Sequence, residues 1–138
     1  MTDILATKEQ LTEVLRFFDL AEQRVKEVEQ LHHKLSVPSI NELRYCGYHL
    51  IRAVVQEDEN KVKEEIAKGI QHSQRAIYDA YEIGIVFILE KVLEFQDSFS
   101  KHPEVIDVLP DYVEILTTSQ ESADTIQEIR ASKFENRE

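Results

Sequence analysis

The chain has 138 residues, 42% of them hydrophobic, with only 3 glycines, 3 prolines and a formal net charge of −11. This length suits one domain with a self-sufficient core, and so few turn formers favour a small number of long elements, so the expected fold is all-α. The negative charge opposes an extended nucleic-acid surface, the single cysteine excludes an intrachain disulfide, and the longest apolar run, IGIVFIL at 83–89, falls far short of the roughly 20 residues that span a bilayer.

The opening MTDILATKEQ lacks the basic and apolar segments of a signal peptide, so the expected compartment is the cytoplasm. Residues 7–34 then carry a heptad, with Leu11, Phe18, Val25 and His32 in one row and Val14, Ala21, Val28 and Leu35 in the other. This predicts a long amphipathic first helix. SVPS at 36–39 interrupts it, because the Pro38 ring disfavours helical geometry at Val37, and Ser39 is placed to cap the second helix. In that helix Ile40, Leu43, Gly47, Leu50 and Val54 recur at spacings of three and four and form the expected seam. QEDEN at 56–60 makes the next turn, with Glu59 or Asn60 at the following N-terminus.

From 61 to about 100 the apolar positions repeat every eleven residues: Val62, Ser73, Gly84 and Phe95 in one row, Ile66, Ile77, Ile88 and Phe99 in the other. That period keeps a stripe straight along a long third helix, about 60 Å if unbroken, a length that favours a kink near Gly84. SKHPE at 100–104 ends it. A fourth helix opens with Pro110 and Asp111 and carries a thinner apolar face of Val113, Leu116, Ala123 and Ile126. The terminal KFENRE, 133–138, is expected to fray. Together these elements predict an antiparallel four-helix bundle with long first and third helices, in a single domain spanning 1–138.

Chemistry-bearing residues crowd into INELRYCGYHLIRA, residues 40–53. On a wheel of 100° per residue, Arg44 lies about 85° from the seam and His49 about 135°, so Tyr45, His49 and Arg52 form an outward row. Gly47 sits in the seam, where it would let another backbone approach closely. In the third helix HSQRAIYDAYE places His72, Arg75, Asp79 and Glu82 along one side, and Arg75 can pair with Asp79 four residues on. Two readings of that side stay open: a polar network in which Arg44 joins Asp79 or Glu82, or a solvated salt-bridged face.

The four-helix layout, the Arg-x4-His spacing of RYCGYH and the later RAIYDAYE resemble the HEPN group of small helical bundles. The resemblance implies a metal-independent endoribonuclease of toxin or phage-defence type, with its site at a dimer cleft. Arg44 would hold the RNA phosphate and His49 would transfer protons, with Asn41, Tyr48, His72, Arg75, Asp79 and Glu82 as the supporting polar network. No metal or cofactor is expected. A di-iron bundle needs two Glu-x-x-His pairs, whereas only Glu29 and His32 have that spacing, and there is no Gly-rich phosphate loop.

One stretch exceeds what a monomer needs. Ile83, Ile85, Val86, Phe87, Ile88, Leu89, Val92 and Leu93 surround their helix, and a helix apolar all round must be covered all round. The row Ile85, Leu89 and Val92 is therefore expected to meet a second subunit, with a homodimer favoured over a thicker local core beneath the 100–112 loop. Two function classes remain open. One is a non-catalytic, homo-oligomeric interaction or regulatory bundle with a protein partner; the other is the HEPN-like ribonuclease.

Overall fold

The computed structural model describes residues 4–135. Among them all regular structure is helical: α1 (Ile4–His32), α2 (Val37–Val54), α3 (Glu59–Phe99), the single turn α4 (Val105–Val108) and α5 (Tyr112–Glu135). The expected frayed tail is helical as far as Glu135, and 136–138 lie outside the described residues. The chain divides into two compact units, Met1–Ile83 and Gly84–Glu138. Helical geometry in α3 continues without a break through Gly84.

In the first unit, α1 buries one heptad row, Val14, Ala21 and Val28, together with Val25. The row ends there, since Leu35 lies beyond the helix and is exposed. His33 terminates α1 in the left-handed region at φ 57°, with its N–H donating to the Glu29 carbonyl at 2.9 Å. That conformation, usually given to glycine, closes the last turn. The Glu29 carboxylate in turn accepts the Ser36 N–H at 3.0 Å and ties the end of α1 to the start of α2.

The start of α2 differs from the sequence expectation. The helix begins at Val37 with Pro38 in its first turn, so Ser36 rather than Ser39 holds the N-cap position. Proline is tolerated there because first-turn N–H groups have no intrahelical acceptor. Ser36 donates its hydroxyl to Ser39 at 2.9 Å, and both serines are fully buried. At the next turn the cap is Asp58, whose carboxylate accepts the N–H groups of Asn60 and Lys61 at 2.9 and 3.4 Å.

The buried face of α2 also departs from the expected seam. Ser39, Leu43, Cys46 and Ala53 are buried, while Ile40 and Val54 are exposed, Val54 to 84%. The seam is thus rotated by about 60° on the wheel. The physical reason is size. Close helix packing favours the small side chains at 39, 46 and 53 over the larger apolar ones beside them: Cys46 and Ala53 cluster with Val14 and Ile66, and Leu43 with Ala21, Val25, Val28, Ala76 and Ala80. A Cβ at Gly47 would meet nothing within 4 Å, so no described part of the chain approaches it. Close approach occurs at Gly69 instead, where a Cβ would meet Leu50 Cδ2 at 3.4 Å and the Cys46 carbonyl and sulfur at 3.7 Å.

The second unit is thinly packed. Phe95 meets Phe99 and Tyr112 at ring-centroid distances of 4.6 and 5.8 Å, and α4 occupies part of the break expected at 100–110. Ile126 is its one buried hydrophobic side chain among the described residues. Between α3 and α5 lies an open groove of about 500 Å³, walled on the α3 side by Ile85, Ile88, Leu89 and Val92.

Candidate functional site

The rotation of α2 decides where its polar residues go. It brings His49 from about 135° to about 75° off the core direction and takes Arg44 from about 85° to about 145°. His49 accordingly becomes a flank residue facing α3 with its side chain 16% exposed, and Arg44 is exposed.

At that flank α2 and α3 exchange bonds crosswise. His49 on α2 donates through Nδ1 to the Glu65 carboxylate of α3 at 2.6 Å, and His72 on α3 donates through Nδ1 to the Glu42 carboxylate of α2 at 2.5 Å. An ionised carboxylate only accepts, so each ring carries its proton on Nδ1 and leaves Nε2 uncommitted to that bond. The two imidazoles stack with centroids 5.1 Å apart and planes 12° from parallel. Tyr45 lies against His72 and Tyr48 against His49, each at 5.4 Å. Arg44 covers the Tyr45 ring at 5.3 Å and Arg52 the Tyr48 ring at 5.5 Å. The result is a column in the order Arg44, Tyr45, His72, His49, Tyr48, Arg52, with a carboxylate on each central ring.

Glu65 is the most enclosed charged group of the cluster, its side chain 7% exposed. The hydrogen bond from His49 holds its carboxyl below the usual range, aided by the charges of Arg52, at 3.4 Å, and Lys68, at 3.7 Å, and opposed by burial. Arg52 also donates to the Tyr48 hydroxyl at 3.0 Å. Behind the column Ser73 donates to the Cys46 sulfur at 3.2 Å, and burial pushes the Cys46 thiol up.

Of the residues singled out in the sequence, Arg44, Tyr45, Tyr48, His49, Arg52 and His72 share this column, but Arg44 and His49 stand at its end and its middle rather than converging on one point. Arg75 is exposed, and Asn41, Asp79 and Glu82 are half-buried. The α3 side chains that reach the column are Glu65, Lys68 and His72. Ile85, Leu89 and Val92 lie in the second unit's groove, half-buried. Among the described residues no group of three or more His, Cys, Asp or Glu is placed to hold a metal ion.

Sequence reasoning overlooked Glu42 and Glu65, although a signal for both was present. ELRYCGYH and EIAKGIQH each place a glutamate seven residues before a histidine. Seven residues are nearly two turns, so both ends share a helix face, and in an antiparallel pair each glutamate then meets the other helix's histidine. Among the described residues no helix is long and apolar enough to cross a membrane. No family model, curated protein or solved structure matches the chain.

Proposed function

We propose that the chain is a small acidic cytoplasmic protein that works as a homo-oligomeric helical bundle, an interaction or regulatory component. The supporting observation is the second unit's open groove, walled by Ile85, Ile88, Leu89 and Val92, in a unit with one buried hydrophobic side chain among its described residues. Two long helical segments cannot enclose their own apolar faces. Pairing them with the same two segments of a second copy forms an antiparallel four-helix bundle, the standard solution for such faces. Light scattering on the full chain should then give a dimeric mass, and Leu89→Glu a monomeric mass with helicity retained. A wild type that is monomeric at every concentration overturns the reading.

A second reading, the HEPN-like metal-independent endoribonuclease, is favoured by one observation. The carboxylate behind His49 fixes its tautomer and leaves Nε2 to exchange protons, with Arg44 and Arg52 at the column's ends as phosphate donors. Cleavage of RNA in chelator, abolished by Arg44→Ala and His49→Ala while fold and mass are unchanged, would establish it. Wild type inert on a broad RNA panel would remove it.

A further inference from the structure

The rotation of α2 turns outward an apolar row that the sequence pattern would bury. Ile40, Arg44, Gly47, Ile51 and Val54 follow one another at alternating spacings of four and three, and all but the half-buried Gly47 are exposed, Ile51 to 69%. That alternation keeps the five within a strip about 80° wide and is the spacing by which one helix packs along another. Glycine in a helix interior costs stability relative to alanine, and no described part of the chain uses the recess that Gly47 leaves.

The same face carries no exposed carboxylate. Glu42 is the one acidic residue of α2, and it is half-buried and bonded to His72, so the exposed charges of the helix are Arg44 and Arg52. Every other long helix exposes acidic side chains, Glu13, Glu64 and Glu121 among them, in keeping with the net charge of −11. The one described partner of Arg44 is the neighbouring Tyr45 ring, which leaves its charge without a carboxylate.

We propose that the exposed face of α2 docks an α-helix of a partner protein, one with a bulky apolar ridge and acidic flanks. The strip receives the ridge, and a large side chain enters at Gly47. Arg44 stands within the strip and is covered on docking, which is tolerable only when its guanidinium reaches a carboxylate at the ridge's edge. Arg52, on the Tyr48 side, offers a second such contact. The α2 face of a second copy fits poorly, since it brings the same two arginines and no carboxylate and sets like charges together. A lipid surface gains nothing from a recess one residue wide and calls for clusters of about four to eight cations. RNA phosphates would meet isoleucine and valine between the two arginines. The face belongs to the first unit and shares no residue with the groove, so the proposal stands whether or not the chain pairs through Leu89.

The test uses the full chain and a synthetic helical peptide as long as α2, with leucine in a four-three ridge, phenylalanine at its centre and glutamate on both flanks. A twin peptide carries lysine in place of every glutamate. The acidic peptide should bind about tenfold more tightly than the twin and move the NMR amide resonances of residues 40–55. Ile51→Asp should weaken that binding about tenfold with helicity unchanged, and Val54→Asp takes its place should Ile51→Asp not fold. Arg44→Glu should reverse the preference in favour of the lysine twin. Leu89→Glu should bind the acidic peptide as the wild type does, which separates this face from pairing through the groove. The proposal is overturned if the two peptides bind alike or not at all, or if the shifts fall on residues 85–92 rather than on α2. It is overturned equally if single-stranded RNA or phosphatidylserine vesicles move the α2 resonances and the acidic peptide does not.

Discussion

His49 and His72 stack at 5.1 Å, and each donates its Nδ1 proton to the glutamate that stands seven residues before the other. The paired positions, 49 with 65 and 72 with 42, have the same sum, as an antiparallel register requires. A slip of one turn between α2 and α3 would separate both pairs at once and leave the enclosed Glu65 without its ring. Hydrogen bonds to charged partners are therefore placed where they select one alignment of the two helices.

Glu65→Gln should lower the melting temperature by several degrees at neutral pH, with the deficit shrinking under acid. The Glu65 carboxyl is held below its ordinary value of 4.5, chiefly by the bond from His49. On acidification the unfolded chain takes up a proton at this position before the folded chain does. The stabilisation is therefore complete above pH 4.5 and is lost as pH falls through the lower, folded value. Melting curves for both proteins at neutral pH and at about pH 3 measure it; a gap that widens in acid contradicts the assignment.

Gly47 and Gly69 should respond oppositely to bulk. Gly47→Ala adds a methyl in open space and removes helix-interior glycine, so it should raise stability by up to about 1 kcal/mol. Gly69→Leu must push into Leu50 and Cys46 and should cost about 2 kcal/mol or more. Urea unfolding measures both. A destabilising Gly47→Ala would restore the close-approach role that the sequence pattern assigns to Gly47.

Cys46 should be inert in the folded protein. It is fully buried, hydrogen-bonded by Ser73, and its thiol is held above the usual range by burial, so little thiolate forms and none is reachable. Native-state reaction with a thiol-specific chromogenic reagent should proceed only as fast as the chain opens, and immediately in urea. Rapid labelling without denaturant would mean that α2 separates from α3 far more often than this packing allows.

The all-helical class and the main boundaries were legible because apolar periodicity, Pro38 and the polar cluster at 56–60 are local signals, and each falls within a few residues of an observed break, whereas the single turn α4 was not foreseen. The rotation of α2 was not. Choosing the seam by hydrophobicity selects Ile40, Gly47 and Val54, whereas the fold buries Ser39, Cys46 and Ala53, because interhelical distance is set by what faces them across the core. The same rotation turns His49 from an outward position to the flank beside Glu65 and brings Glu42 to His72, since the partners of a polar side chain depend on the face it occupies. Val54→Ala, predicted within about 0.5 kcal/mol although Val54 belongs to the expected seam, checks the rotation in denaturant unfolding, with Leu43→Ala, which lies on both faces and should cost about 3 kcal/mol, as the reference for a buried position.

The sequence wheel makes Arg44 the structural residue of RYCGYH and His49 the dispensable one; the structure reverses them. Arg44 is exposed and its one described partner is the adjacent Tyr45 ring, an interaction of modest worth at an accessible site, so Arg44→Ala should cost at most about 0.5 kcal/mol. His49→Ala removes the donor to an enclosed carboxylate and the middle of the ring column, and should cost about 2 kcal/mol. His49→Gln, which offers an amide donor near the same place, should recover part of that loss. Thermal and urea unfolding of the three variants give the order of stability, and a metal-free RNA cleavage assay on the same samples separates folding from chemistry. A stable Arg44→Ala that loses cleavage would mark a phosphate contact, whereas an Arg44→Ala less stable than His49→Ala would refute the column as the reason these residues occupy one helix.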